Sequence, residues 1–107
     1  MMKRTKALPA KEARIASEKG RTKRTNTVIN SCIGTLNRYI DAAAMNGEYI
    51  AHTWFHNNSG VLTSDVMNII ADHFRKVGYL VEVKQSDEDP AFVEEYFIEL
   101  NWEDAAC

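Results

Sequence analysis

The sequence predicts an α+β fold on three observations. One long stretch, residues 26–47, repeats its apolar residues at helical spacing, and a second stretch, 63–78, repeats them with clear start and stop signals. Three short stretches near residues 49–55, 79–85 and 93–102 instead alternate as strands do. The expected architecture is a long N-terminal helix plus a β-α-β-β unit, forming a small mixed three-stranded sheet with helices packed on it. At 107 residues the chain has room for one core. No run approaches the 18 or so apolar residues that a membrane span requires.

Taken in order, "MMKRTKAL" has no periodicity and is expected to fray. "PAKEARIASEK" suits a short helix, with Pro9 in its first turn and good helix formers behind it. Its apolar side is thin, mostly Ala10, Ala13, Ala16 and Ile15, and Gly20 is its natural stop. Residues 1–24 are therefore read as a basic arm with a short helix, and 25–104 as a single α+β domain. "NTVINSCIGTLNRYIDAAAMNG" follows, capped by Thr25 or Asn26 and ended by Gly47. Val28, Ile29, Cys32, Ile33, Leu36, Tyr39, Ile40, Ala43 and Ala44 make its apolar face.

"EYIAHTWF" reads as a strand with Tyr49, Ala51, Thr53 and Phe55 on one face and Ile50, His52 and Trp54 on the other. Apolar residues on both faces suggest an inner strand, or an edge strand covered by a partner. Thr63 or Ser64 caps the second helix, Asp65 suits its N-terminal dipole, and Gly78 closes it. Its buried stripe is expected to be Val66, Ile69, Ile70, Phe74 and Val77. "YLVEVKQ" turns Tyr79, Val81 and Val83 inward, with Glu82 and Lys84 outward. "VEEYFIELNW" groups Tyr96, Ile98, Leu100 and Trp102 against Glu95, Phe97, Glu99 and Asn101. These two strands should pair as an antiparallel hairpin across "SDEDPA".

Charge is distributed unevenly. Residues 1–24 carry nine Lys/Arg against Glu12 and Glu18, a net of +7, while the other 83 residues carry four basic and thirteen acidic side chains, a net of −9. Such a split suggests a basic arm on an acidic body. The two cysteines, Cys32 within a helical stripe and Cys107 at the last position, are expected to be a buried free thiol and a frayed terminal one. The basic start lacks the apolar stretch of a secretory signal, so a cytosolic location is the default expectation.

Several short motifs carry a resemblance: "AKEAR" at 10–14, an Ala-rich helix end followed by "NGEY" at 46–49, "VGYLVEV" at 77–83, and the closing "ELNW". Together these resemble a group of small, mostly uncharacterised tailed-phage proteins that often end in "ISW". The likeness spans roughly residues 10–102. It implies a viral origin and an α+β fold, with no activity and no transferable site; joined to the cytosolic default, the expected location is the host cytoplasm. The chain departs from the pattern in its basic extension before Ala10, its long acidic hairpin connection and its "EDAAC" tail.

The polar side chains yield no arrangement typical of an enzyme. His52 and His56 lie four apart on a strand, roughly 13 Å, too far to share one ion. Ser59, Ser64 and Ser86 fall in turn or cap contexts, and no nucleophile elbow or phosphate loop is present. Neither a catalytic residue, a metal nor a cofactor is expected.

Three features suggest contacts with macromolecules. Lys3, Arg4, Lys6, Arg21, Lys23 and Arg24 suit phosphate neutralisation, but no aromatic residue interleaves them to stack on bases, and the acidic body opposes nucleic acid. Glu82, Asp87, Glu88, Asp89, Glu94, Glu95 and Glu99 form an acidic run that would mimic a phosphate backbone, or simply keep a sheet edge soluble. Ile50, Trp54, Phe97, Tyr39 and Tyr96 are candidates to stay outside the core and mark an interface.

The expectation is a small non-enzymatic accessory protein: an interaction module, homo-oligomeric, that binds or inhibits a host or viral protein. The rival expectation is an oligomer that sequesters a nucleotide, with Arg21, Arg24 or Arg38 on phosphate and Tyr39 or Trp54 on a base. A component of the virus particle is a third. No membrane partner is expected.

Overall fold

The structure, a computed structural model, describes residues 7–57, 60–87 and 93–105. The chain runs α1 (Ala10–Met45), β1 (Ile50–His56), α2 (Ser64–Arg75), β2 (Leu80–Gln85) and β3 (Glu95–Asn101). It is an α+β fold, with both helices on one face of a three-stranded sheet.

The expected break at Gly20 is absent. One helix of 36 residues runs from Ala10 to Met45, with Thr25 and Asn26 inside it and not capping a second helix. A lone glycine costs about 1 kcal/mol, and the Lys, Arg, Glu and Ala around it outweigh that. The intervening threonines are accommodated by turning their hydroxyls onto the preceding turn: Thr22 Oγ1 donates to the Glu18 carbonyl at 3.1 Å and Thr27 Oγ1 to that of Lys23 at 3.0 Å. No heavy atom lies within 4 Å of a Cβ built on Gly20 or on Gly34. Gly34→Ala should therefore raise stability by up to about 1 kcal/mol in a urea titration. A loss of stability would reveal a contact at that position.

A helix of this length spans about 54 Å, most of the molecule's 63 Å long axis. Among the described residues, its second half supplies the packing against the body. Cys32, Leu36 and Ala43 are buried, and Val28, Ile29, Ile33 and Ile40 pack half-buried beside the core. Residues 10–24 are exposed apart from a half-buried Ala13. The helix ends at Gly47, whose φ of 77° lets the amide of Glu48 donate to the Ala43 carbonyl at 2.9 Å and its own amide to that of Ala44 at 3.0 Å. Gly78, φ 106°, ends α2 in the same way, with the Tyr79 amide reaching the Phe74 carbonyl.

The sheet order is β1-β3-β2, and both pairings are antiparallel. The predicted hairpin of β2 and β3 forms. The sheet is not mixed, because β3 lies between β1 and β2 and keeps those two parallel strands from pairing. β1 is an edge strand, not an inner one. Composition explains the order. The core face of β3 carries Tyr96, Ile98 and Leu100, all 2% exposed or less. That of β1 carries only Ala51, Thr53 and Phe55, which suits an edge.

α2 is capped by Thr63, whose Oγ1 accepts from the Val66 amide at 3.3 Å. Its buried stripe is Val66, Met67, Ile70, Ala71 and Phe74. Ile69 (53% exposed) and Val77 (70%) lie off it, contrary to expectation. Arg75 ties this helix to β2 by donating to the Val81 carbonyl at 2.9 Å while pairing with Asp72 at 3.0 Å.

Cys32 is a free, buried thiol, as expected, and burial pushes its pKa up. A higher pKa leaves less thiolate at neutral pH, so alkylation of Cys32 should be slow in the folded protein and fast in urea. Equal rates would place the thiol at the surface. Cys107 lies outside the described residues.

Candidate functional site

Strand alternation sends every second residue of the sheet away from the helices, and register arranges those residues in rows. The first row is Ile50, Asn101 and Leu80; the second is His52, Glu99 and Glu82; the third is Trp54, Phe97 and Lys84. His56 and Glu95 begin a fourth. Neither helix covers this face. Leu80 is 65% exposed, Trp54 50% and Ile50 38%, whereas the central-strand residues Phe97, Glu95 and Glu99 are half-buried by their neighbours.

The third row is an aromatic cluster. The Phe97 ring lies 5.2 Å from that of Trp54 and 5.6 Å from that of His52, both tilted. Such pairs add roughly 0.5–1.5 kcal/mol each beyond the area they bury, so the cluster is held in place before anything docks on it. Acidic groups surround it. His56 Nδ1 meets Glu95 Oε1 at 3.1 Å, and Lys84 Nζ meets Glu82 Oε1 at 3.6 Å. Glu82 and Glu99 stand directly opposite each other, an arrangement that costs a sheet stability and that Lys84, beside Glu82, offsets in part.

The sequence-predicted contact residues divide among three places. Trp54, Phe97 and Glu95 come together on the open face with Glu82 and Glu99. Tyr96 does not join them: it is 2% exposed in the core, its phenol 3.4 Å from Ser64 Oγ. Arg21, Lys23, Arg24 and Arg38 lie on α1, Arg38 donating to Thr35 Oγ1 at 3.2 Å. Tyr39, 46% exposed, lines a groove between the end of α1 and the β1 edge with Asn46, Glu48, Ile50 and His52. Asp87 lies exposed just beyond β2. Lys3, Arg4, Lys6, Glu88 and Asp89 fall outside the described residues.

Trp54 lies on the open sheet face, whereas Arg21, Arg24 and Arg38 lie on α1, with Tyr39 next to Arg38. Leu80 was not among the sequence candidates, yet it is one of the most exposed apolar residues of the face; the inward assignment of Tyr79 and Val81 already implied its direction. His52 was weighed only as a metal ligand, and its role here is to stack. Among the described residues, no group of three His, Cys, Asp or Glu side chains is placed to hold a metal ion. No helix among them is long and apolar enough to cross a membrane. No protein-family model, curated protein or solved structure matches the chain significantly.

Proposed function

We propose that this chain is a non-enzymatic interaction module that binds a protein through the open face of its sheet, its partner presenting a basic, partly apolar segment. The observation that carries the reading is the juxtaposition on one uncovered face of a preformed Trp54–Phe97–His52 cluster and the acidic row Glu82–Glu99, with Glu95 beside it. Aromatic anchors ringed by charge are the usual make-up of a binding centre, the rings supplying energy and the charges partner choice. The motif resemblance supports a phage accessory protein acting in the host cytoplasm on a host or viral protein. Nucleic acid is disfavoured as the partner of this face, because its carboxylates would repel phosphate.

The test compares capture from phage-infected cells by the wild type and by Trp54→Glu/Phe97→Glu, both checked for native circular dichroism. A protein retained by the wild type and lost by the variant supports the reading. The same proteins retained by both would remove the face from the account.

A further inference from the structure

The projecting half of α1 is a second unpartnered surface. Residues 10–24 leave the body behind, and their basic side chains surround the helix. A helix that is polar all round needs either many internal ion pairs or a neighbour. Arg14 pairs with Glu18 at 3.1 Å, but both side chains are largely exposed, so the pair adds little. Ile15, Lys19, Thr22 and Lys23, with Glu18, line one open groove along the helix. Lys19 and Lys23 are a like-charge pair one turn apart, about 6 Å along the axis, and such pairs destabilise a helix.

The open sheet face has the opposite defect. Glu82 and Glu99 repel one another across strands about 4.8 Å apart, beside exposed Trp54 and Leu80, and the exposed Lys84 at 3.6 Å from Glu82 offsets this only in part. Bringing Lys19 and Lys23 onto Glu82 and Glu99 relieves both repulsions and lets Ile15, 44% exposed, reach the apolar rows. The half-helix cannot do this within its own chain. α1 is continuous, and its second half is packed on the other side of the same sheet.

We propose that the basic half of α1 docks on the open sheet face of a second copy, and reciprocally, giving a symmetric dimer in which each copy supplies one helix and one sheet. This deepens the reading above, on which it rests: the face that takes a basic protein segment takes this one when copies meet. A reciprocal pair of contacts divides the roughly 1,200–2,000 Å² that a stable dimer buries, so neither contact needs an unusual area. Nucleic acid is the weaker occupant for the half-helix, which lacks aromatic residues between Pro9 and Asn26 and is joined to a body of net charge −9.

A charge exchange tests the arrangement, read by sedimentation equilibrium of the full chain. The wild type should dimerise, and less so as salt rises. Lys19→Glu/Lys23→Glu and, separately, Glu82→Lys/Glu99→Lys should each weaken self-association roughly tenfold or more, because each variant sets like charges against one another at the two contacting pairs. Mixed in equal amounts, the two should form a heterodimer, since both contacts again join opposite charges. Should the lysine-bearing sheet fold poorly, Glu82→Gln/Glu99→Gln keeps the comparison, with association again weakened. A wild type that stays monomeric at high micromolar concentration overturns the proposal, as does a mixture that fails to associate. So does a half-helix variant that dimerises normally while losing affinity for duplex DNA. A monomeric wild type whose face still captures a foreign basic protein would overturn only the dimer and leave the binding role standing.

Discussion

Replacing Ile98 by alanine should cost the fold about 2–5 kcal/mol, a large part of the roughly 5–15 kcal/mol that holds a domain of this size together. Ile98 is wholly buried at the middle of the central strand, paired with Thr53 on one side and Val83 on the other. It belongs to the same core cluster as Leu36 of α1 and Met67 and Ile70 of α2. Removing three carbons there leaves a cavity lined by residues from every layer, which rigid neighbours close only in part. The control is Ile69→Ala, a similar truncation on the exposed side of α2, expected to stay within about 0.5 kcal/mol. Urea unfolding followed by circular dichroism reads both. Equal costs at the two positions would mean that the buried stripe of α2 is wrongly assigned.

Trp54→Ala should show the reverse pattern, little effect on folding and a large one on binding. The indole is half exposed on an edge strand, so its cross-strand contact with Phe97 accounts for about 0.5–1.5 kcal/mol of stability. An aromatic anchor at the centre of an interface accounts for about 2 kcal/mol or more of affinity, near thirtyfold. Titration calorimetry or sedimentation should detect that loss while the melting temperature moves by only a few degrees. A variant that binds as tightly as the wild type would exclude Trp54 from the contact.

Much of this was legible in the sequence, for identifiable reasons. Strand alternation placed Ala51, Thr53 and Phe55 opposite Ile50, His52 and Trp54, and it separated Ile98 and Leu100 from Phe97 and Glu99, because side-chain direction in a strand follows parity alone. Thr63, Gly47 and Gly78 were readable because caps depend on local chemistry. The errors came from effects that are not local. Gly20 looked like a stop because its propensity was weighed alone, when good helix formers on both sides carry the helix through it. The apolar outer face of β1 fits an inner strand or a covered edge strand equally, and hydrophobicity alone does not choose between them; the β1-β3-β2 order makes it an edge strand. Ile69 was placed in the core by composition, although 100° of helical rotation separates it from Ile70 and turns it outward. The candidate site was visible as a set of residue types, but not as a place. Only the β1-β3-β2 order brings Trp54, Phe97, Glu99 and Glu82 onto one patch, since β3 must lie between strands that sequence order puts before it.

The most direct test of the open face as the contact surface uses the indole at its centre. In a Trp102→Phe background, emission comes from Trp54 alone, since the chain has two tryptophans. On adding a captured partner, or on raising protein concentration if copies dock on one another, the emission should shift to shorter wavelength and become less accessible to a soluble quencher. Binding that is detected by mass while Trp54 emission and quenching stay unchanged would contradict the account.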